Sequence, residues 1–356
     1  MRIDQIRTKI KHGERLNREE AISLFTEQDL LEIGLLAKQV KLNKTGRDVF
    51  FNVNQHVNLT NICVSRCKFC AFARDPGQEG AYAMTIEEAL DFARKGPSDM
   101  TELHVVSALH PDQPFSYYVD VIDAMRREFP GVHIQAFTAV EIEYFSRIAN
   151  LSIREVLSQL KQAGLGSMPG GGAEIFSDRV RQATCHKKAS AELWLEVMKT
   201  AHELGIRSNA TMLFGHIETL EERADHLLRL RELQDVTGGF QSFIPLPFHP
   251  ANTELTDIKR TSALDDLRTI AAARLILDNF DHIKAFWIML GVPVAQIALE
   301  FGADDFDGTV VEERITHAAG ATTDVGITRD RILGLIRESG YRPVERDTLY
   351  NVVRTF

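Results

Sequence analysis

Between residues 53 and 299 short strand-forming runs alternate with longer helix-forming ones, and no other feature of this 356-residue chain restricts its fold as much. The runs at 53–59, 103–106, 132–137, 165–168, 207–214 and 240–246 read as strands, and helical patterns fill 85–95, 115–129, 139–163, 190–204, 219–235 and 262–280. Strands joined by helix-length crossovers lie parallel, with right-handed connections. Six such units predict an α/β fold, a partial (β/α)6 TIM-like barrel more than an open doubly wound sheet. The reason is that residue types suited to chemistry fall just after strands in different units, as on the C-terminal face of (β/α) barrels. Residues 1–48 read as an N-terminal helical extension: Asn17-Arg18-Glu19-Glu20 has the form of a cap, and Leu30, Leu31, Ile33, Leu35, Leu36 and Val40 give an apolar face. The barrel takes 49–299, with 283–299 adding a last strand and helix, and 300–356 is expected as a mixed C-terminal α/β tail packed on it.

Hydrophobic residues are 44% and charged residues 26% of the chain, which places it among folded globular proteins. A net charge of -9 argues against a nucleic-acid partner, whose phosphates need a basic surface, yet leaves room for a local basic pocket. No run approaches the roughly 20 apolar residues of a membrane helix. Residues 1–11 are polar and charged and lack the apolar centre of a secretory signal, so the expected location is cytoplasmic, with no membrane partner. Four cysteines, three of them bunched too tightly for easy mutual bridging, suit a reducing compartment.

Those three lie within eight residues, Cys63-Val64-Ser65-Arg66-Cys67-Lys68-Phe69-Cys70, directly after the first barrel strand. A structural zinc site closes its tetrahedron with four ligands, usually as two pairs, and no second pair is visible. A [4Fe-4S] cluster held by three cysteines keeps one iron free for a small molecule. Zinc and a chance cluster of core thiols are the alternatives. Arg66 and Lys68 read equally as cations that lower thiol pKa values and as solvated loop charges. Cys185 reads as a lone structural thiol.

Other candidates share that rim. Met168-Pro169-Gly170-Gly171-Gly172-Ala173-Glu174-Ile175-Phe176 follows the fourth strand, and Gly170, Gly171 and Gly172 permit either close approach of backbone to a ligand or a flexible strand-to-helix turn. His110 follows the second strand, Thr138 and Glu141 the third, His216 and Glu218 the fifth, and His249 the sixth, with Asn252 and Thr253 beyond it. Each alone reads as structural; on one rim they form a candidate site. Arg179 and Arg181 offer bidentate partners for a carboxylate, or are exposed helix charges.

The spacing C-x3-C-x2-C, with Phe69 before the third cysteine, resembles the signature of the radical S-adenosylmethionine (SAM) superfamily. Further strings resemble one family within it, the aminofutalosine synthases of the futalosine route to menaquinone: Asn58-Leu59-Thr60-Asn61, Phe137-Thr138-Ala139-Val140-Glu141-Ile142, the glycine segment, Asn209-Ala210-Thr211-Met212-Leu213-Phe214-Gly215-His216-Ile217-Glu218-Thr219, and the segments 232–240 and 243–253. The dehypoxanthine futalosine cyclases and the deazaflavin-cofactor synthases share the cysteine loop and glycine run. Leu246-Pro247-Phe248-His249-Pro250 resembles the synthases more, and Ser107-Ala108 departs from their usual Gly-Gly.

The resemblance implies a [4Fe-4S] cluster on Cys63, Cys67 and Cys70, and SAM consumed as cosubstrate. Phe69, Ser107, Ala108, Thr138, Glu141, Gly170, Gly171, Gly172 and Arg179 form the implied cofactor-binding set, with Glu141 toward the adenosyl ribose and Arg179 toward a carboxylate. His110, His216, Glu218 and His249 are implied in substrate binding or proton transfer. The implied reaction adds the 5′-deoxyadenosyl radical to an acidic aromatic enol ether, 3-(1-carboxyvinyloxy)benzoate, giving 6-amino-6-deoxyfutalosine, bicarbonate and methionine. A reducing donor such as flavodoxin or ferredoxin is implied as partner. From a different class, an iron-sulfur electron carrier or a zinc-stabilised binding protein remains open.

Overall fold

Parallel strands need both faces covered, and their sequences here are buried almost end to end; Arg207–Phe214 is exposed only at its first residue. The computed structural model describes residues 3–311 and 313–356. Its strands in chain order are β1 (Asp48–Asn52), β2 (Asn54–Asn58), β3 (Glu102–Val106), β4 (His133–Ala136), β5 (Ser167–Met168), β6 (Arg207–Phe214), β7 (Phe240–Pro247), β8 (His282–Ile283), β9 (Asp305–Gly308), β10 (Arg342–Arg346) and β11 (Val352–Thr355). Strands β2 to β8 form one seven-stranded parallel sheet in sequential order, with helices between them. The strand expected over 283–299 is β8, followed by two short helices, Trp287–Leu290 and Val292–Ala298.

Capping boxes start many of the helices. Thr85 with Glu88, Thr138 with Glu141, Ser152 with Glu155 and Thr219 with Glu222 each satisfy backbone N–H groups that a helix start leaves unpaired. The helix expected over 139–163 is two, Ala139–Ala149 and Ile153–Ala163. Asn150 takes a left-handed conformation that ends the first, and the Ser152 box opens the second. A further short helix, Asp178–Thr184, carries Arg179 and Arg181. The N-terminal segment forms three helices, Ile3–His12, Arg18–Thr26 and Leu30–Thr45, the last two packed on Ala263–Ile276.

Strand β1 belongs to a second sheet, ordered β11-β10-β1-β9, so the start of the expected barrel pairs with the C-terminal segment. Strand β9 also reaches both ends of the large sheet. Ala285 N–H donates to Asp305 O (2.8 Å) beyond β8; Thr309 N–H donates to Asn52 O (3.1 Å), and Val310 N–H to Asn54 Oδ1 (3.0 Å) at the start of β2. It therefore fills the seam between β8 and β2. Its acids are buried and paired: Asp305 with Arg346 (2.7 Å), Asp307 with Lys284 (2.8 Å), and the preceding Asp304 with Arg274 (2.6 Å). Among the described residues no helix is long and apolar enough to cross a membrane.

Candidate active site

The barrel encloses a cavity of about 380 Å³, within the range of small-molecule sites. The three cysteines line one end of it, Cys67 buried and Cys63 and Cys70 half-buried. Neighbouring loops hold their segment: Val64 N–H donates to Leu109 O (3.0 Å), Lys68 N–H to Thr184 O (2.9 Å), and Glu254 N–H to Lys68 O (2.9 Å). Arg66, at φ 47°, and Arg74 donate to carbonyls of 71–73 and shape the turn from within. The cation facing the thiols is Lys188, its Nζ 2.6 Å from Glu174 Oε1 and 5.2 Å from the Phe69 ring centre. Burial pushes the Cys67 thiol pKa up, and Lys188 opposes that shift.

Other parts of the rim are braced as tightly. Buried Glu141 accepts from Ser107 N–H through Oε1 (2.6 Å) and from Thr138 N–H and Oγ1–H through Oε2 (2.7 Å each), tying the loop after β3 to the helix after β4. Burial raises its pKa to about 7 against these hydrogen bonds. Ser107 Oγ donates to Ala108 O (3.0 Å). In the glycine segment, a Cβ on Gly170 would lie 2.7 Å from the Ala210 backbone, and Gly172 has φ +84° with Val140 Cγ2 2.4 Å from a built Cβ. These glycines therefore serve close packing while they line the cavity.

Phe69, Ser107, Ala108, Thr138, Glu141, Gly170, Gly171, Gly172 and His249 all line the cavity. The other candidates, Asn252 and Thr253 among them, do not. His110 accepts from Asp112 N–H through Nδ1 (3.1 Å) outside it. His216 donates from Nε2 to Leu213 O (3.0 Å) and accepts from Ile217 N–H at Nδ1 (2.7 Å), so both ring nitrogens are taken. Glu218 accepts from Gly215 N–H (2.6 Å), His216 N–H (2.9 Å) and Arg223 Nε (2.8 Å), which makes the pair a brace for the turn after β6. Arg179 is exposed and bound to Glu222 (2.6 Å) and Ile217 O (2.8 Å). Arg181 is buried and donates to Ala173 O (2.7 Å), holding the glycine segment.

Sequence reasoning passed over the cavity floor, built from side chains inside the strands. The rings of His56 and His104 stack at 4.5 Å, His104 Nδ1 lies 3.0 Å from Gln135 Oε1, and Asn54 Nδ2 donates to Glu102 Oε1 (3.2 Å). Lys284, just beyond β8, and Asp307 on β9 close the floor. Burial, with His104 beside it, lowers the His56 pKa to about 3, and burial lowers that of His104, so both rings are neutral. The signal was polar residues at alternate positions, Asn54, His56 and Asn58 and again Glu102 and His104, in strands of a type otherwise apolar.

Residues 57–230 match the radical SAM superfamily, and residues 237–355 match the CofH/MqnC C-terminal region. The chain is 49% identical to an aminodeoxyfutalosine synthase of Thermus thermophilus, over 100% of this chain and 97% of that one. It belongs to the aminodeoxyfutalosine synthase family of the radical SAM superfamily. A second aminodeoxyfutalosine synthase, from Streptomyces coelicolor, is 44% identical over 99% of this chain and 94% of its own. The crystal structure of methylornithine synthase shares the fold, with a TM-score of 0.76 at 15% identity over 95% of this chain and 97% of that one. Radical SAM proteins use a [4Fe-4S] cluster and SAM, and the residues here fit both. Three thiols open on one cavity, the donor set with which a [4Fe-4S] cluster would keep one iron free for SAM. Ser65 Oγ, buried beside them without a hydrogen-bond partner, offers a donor toward such a group.

Proposed function

We infer that this protein carries out the aminodeoxyfutalosine synthase reaction, joining the adenosyl part of SAM to 3-(1-carboxyvinyloxy)benzoate with release of methionine and bicarbonate. It works in the cytoplasm, with flavodoxin or ferredoxin as electron donor. The observation that carries this reading is the opening of three thiols onto one barrel cavity, in a chain 49% identical from end to end to such a synthase.

Bound together, the cluster and SAM supply a reactive carbon centre at adenosine C5′. The chain's task is to hold the acceptor beside it and keep other hydrogen sources out. Phe69, Phe72, Leu109, Phe248 and Met289 give the cysteine end apolar walls that exclude water. Glu141 ties the Ser107 backbone to Thr138, with one hydrogen bond to the first and two to the second, so the loops on either side keep one spacing. His249 donates from Nε2 to Met289 O (2.9 Å), which leaves Nδ1 as its proton-accepting atom at the cavity.

The test is an anaerobic reaction with SAM labelled at C5′. The label is expected in a product that also contains the benzoate ring. Label recovered mainly in 5′-deoxyadenosine, with substrate present, would replace this reading by that of a hydrogen-abstracting cyclase.

A further inference from the structure

Two lysines and no arginine line the cavity among the described residues, and they stand at opposite ends. Lys188 lies among the cysteines, bound to Glu174 and against Phe69. Lys284 lies on the floor, with Nζ 2.8 Å from Asp307 Oδ1. The wall between them is apolar, with contributions from Val106, Leu213, Ile244, Leu246 and Phe286. A ligand complementary to this shape has an anionic group at each end and an apolar middle. The substrate of the reaction assigned above has that form, with one carboxylate on the aromatic ring and one on the enol ether.

We propose that Lys284 is the anchor for the ring carboxylate and sets the specificity of the site for an aromatic acid. The inference rests on the assigned reaction. Orientation follows from the cysteines: the enol-ether carbon has to lie at their end, so the ring and its carboxylate point to the floor. An ammonium has three N–H donors, and Asp307 takes one, so two remain for a ligand. The neutral imidazoles of His56 and His104 add polar contacts without charge. Glu102 and Asp307 border the same floor, so without Lys284 an incoming carboxylate would meet acids and no cation. Charge at this point therefore depends on one side chain.

Binding without turnover isolates the claim. Cluster-loaded protein is dialysed anaerobically, with S-adenosylhomocysteine in place of SAM, against 3-(1-carboxyvinyloxy)benzoate and against (1-carboxyvinyloxy)benzene, which lacks the ring carboxylate. Wild type is expected to bind the dicarboxylate about tenfold or more tightly than the analogue, as for a hydrogen bond between charged groups. Lys284→Met combined with Asp307→Asn, which removes both members of the ion pair together, is expected to bind the two alike while keeping wild-type affinity for the analogue. Asp307→Asn alone frees the ammonium and is expected to tighten dicarboxylate binding. Equal binding of the two ligands by wild type, discrimination kept in the double variant, or equal weakening of both ligands overturns the anchor. If wild type neither binds nor converts the dicarboxylate, the assigned reaction falls as well. Conversion without discrimination removes the anchor alone.

Discussion

The two ends of the cavity are built in different ways. At the rim, conspicuous polar residues hold backbone: Glu141 caps a helix and braces Ser107, Glu218 gathers two N–H groups and Arg223, and Arg181 grips the glycine segment. On the floor, side chains bond to side chains across strands, from His104 to Gln135 and from Lys284 to Asp307. A rim residue thus acts mainly through the loop it shapes, and a floor residue through the ligand it meets. On the proposed reading the cysteines are the exception at the rim, with sulfur atoms that themselves hold the cluster.

That exception carries the largest expected effect. Cys63→Ala, Cys67→Ala or Cys70→Ala should abolish SAM cleavage and sharply lower the iron and sulfide content after anaerobic reconstitution, while Cys185→Ala should retain both. The reverse pattern would reassign the ligands. Next is Glu218→Gln, which removes one charge from a buried pair with Arg223 at 2.8 Å. It should cost about 3–5 kcal/mol in a denaturant titration. A variant of unchanged stability but lost substrate affinity would move Glu218 from the brace to the ligand.

Glu141→Gln should have a smaller effect, about 1.5–3 kcal/mol, because an amide oxygen replaces one carboxylate oxygen and the NH2 cannot accept from an N–H. Both SAM affinity and melting temperature should fall, and unchanged SAM affinity in folded, cluster-loaded protein would remove Glu141 from the site. Burial raises the Glu141 pKa, so the native state binds this proton more tightly than the unfolded one. Its share of stability then declines as pH rises from the ordinary carboxylate range to about 7, and the decline should vanish in the Gln variant. Smallest of all is Arg179→Ala. Its pair with Glu222 is solvent-facing, so a loss under about 1 kcal/mol with unchanged turnover is expected. A large drop in turnover would return Arg179 to the cofactor.

The barrel was legible because its strand-helix alternation repeats over adjacent stretches, and the cysteines because their chemistry does not depend on context. Strand β1 was not, since its five residues gain partners only from β9 and β10, nearly 300 residues further along in the second case. Arg179 and Arg181 show the same limit at single residues. Both are arginines on one short helix, and only the tertiary fold sends one to Glu222 in solvent and the other to buried carbonyls. The floor was hidden differently. Its histidines stand in strand interiors, where attention to residues that follow strands does not look, although their alternate spacing marks an inward face.

Strand β9 gives the molecule an order of assembly. Chains are made from the N-terminus and their early parts begin to fold first, yet Asn54 waits for Thr309, 255 residues later. Until then β2 and β8 are the two lips of an open trough, and β1 lacks both its neighbours. The segment from β9 onward acts as a zip, turning that trough into a vessel only once the residues that become its walls have been made.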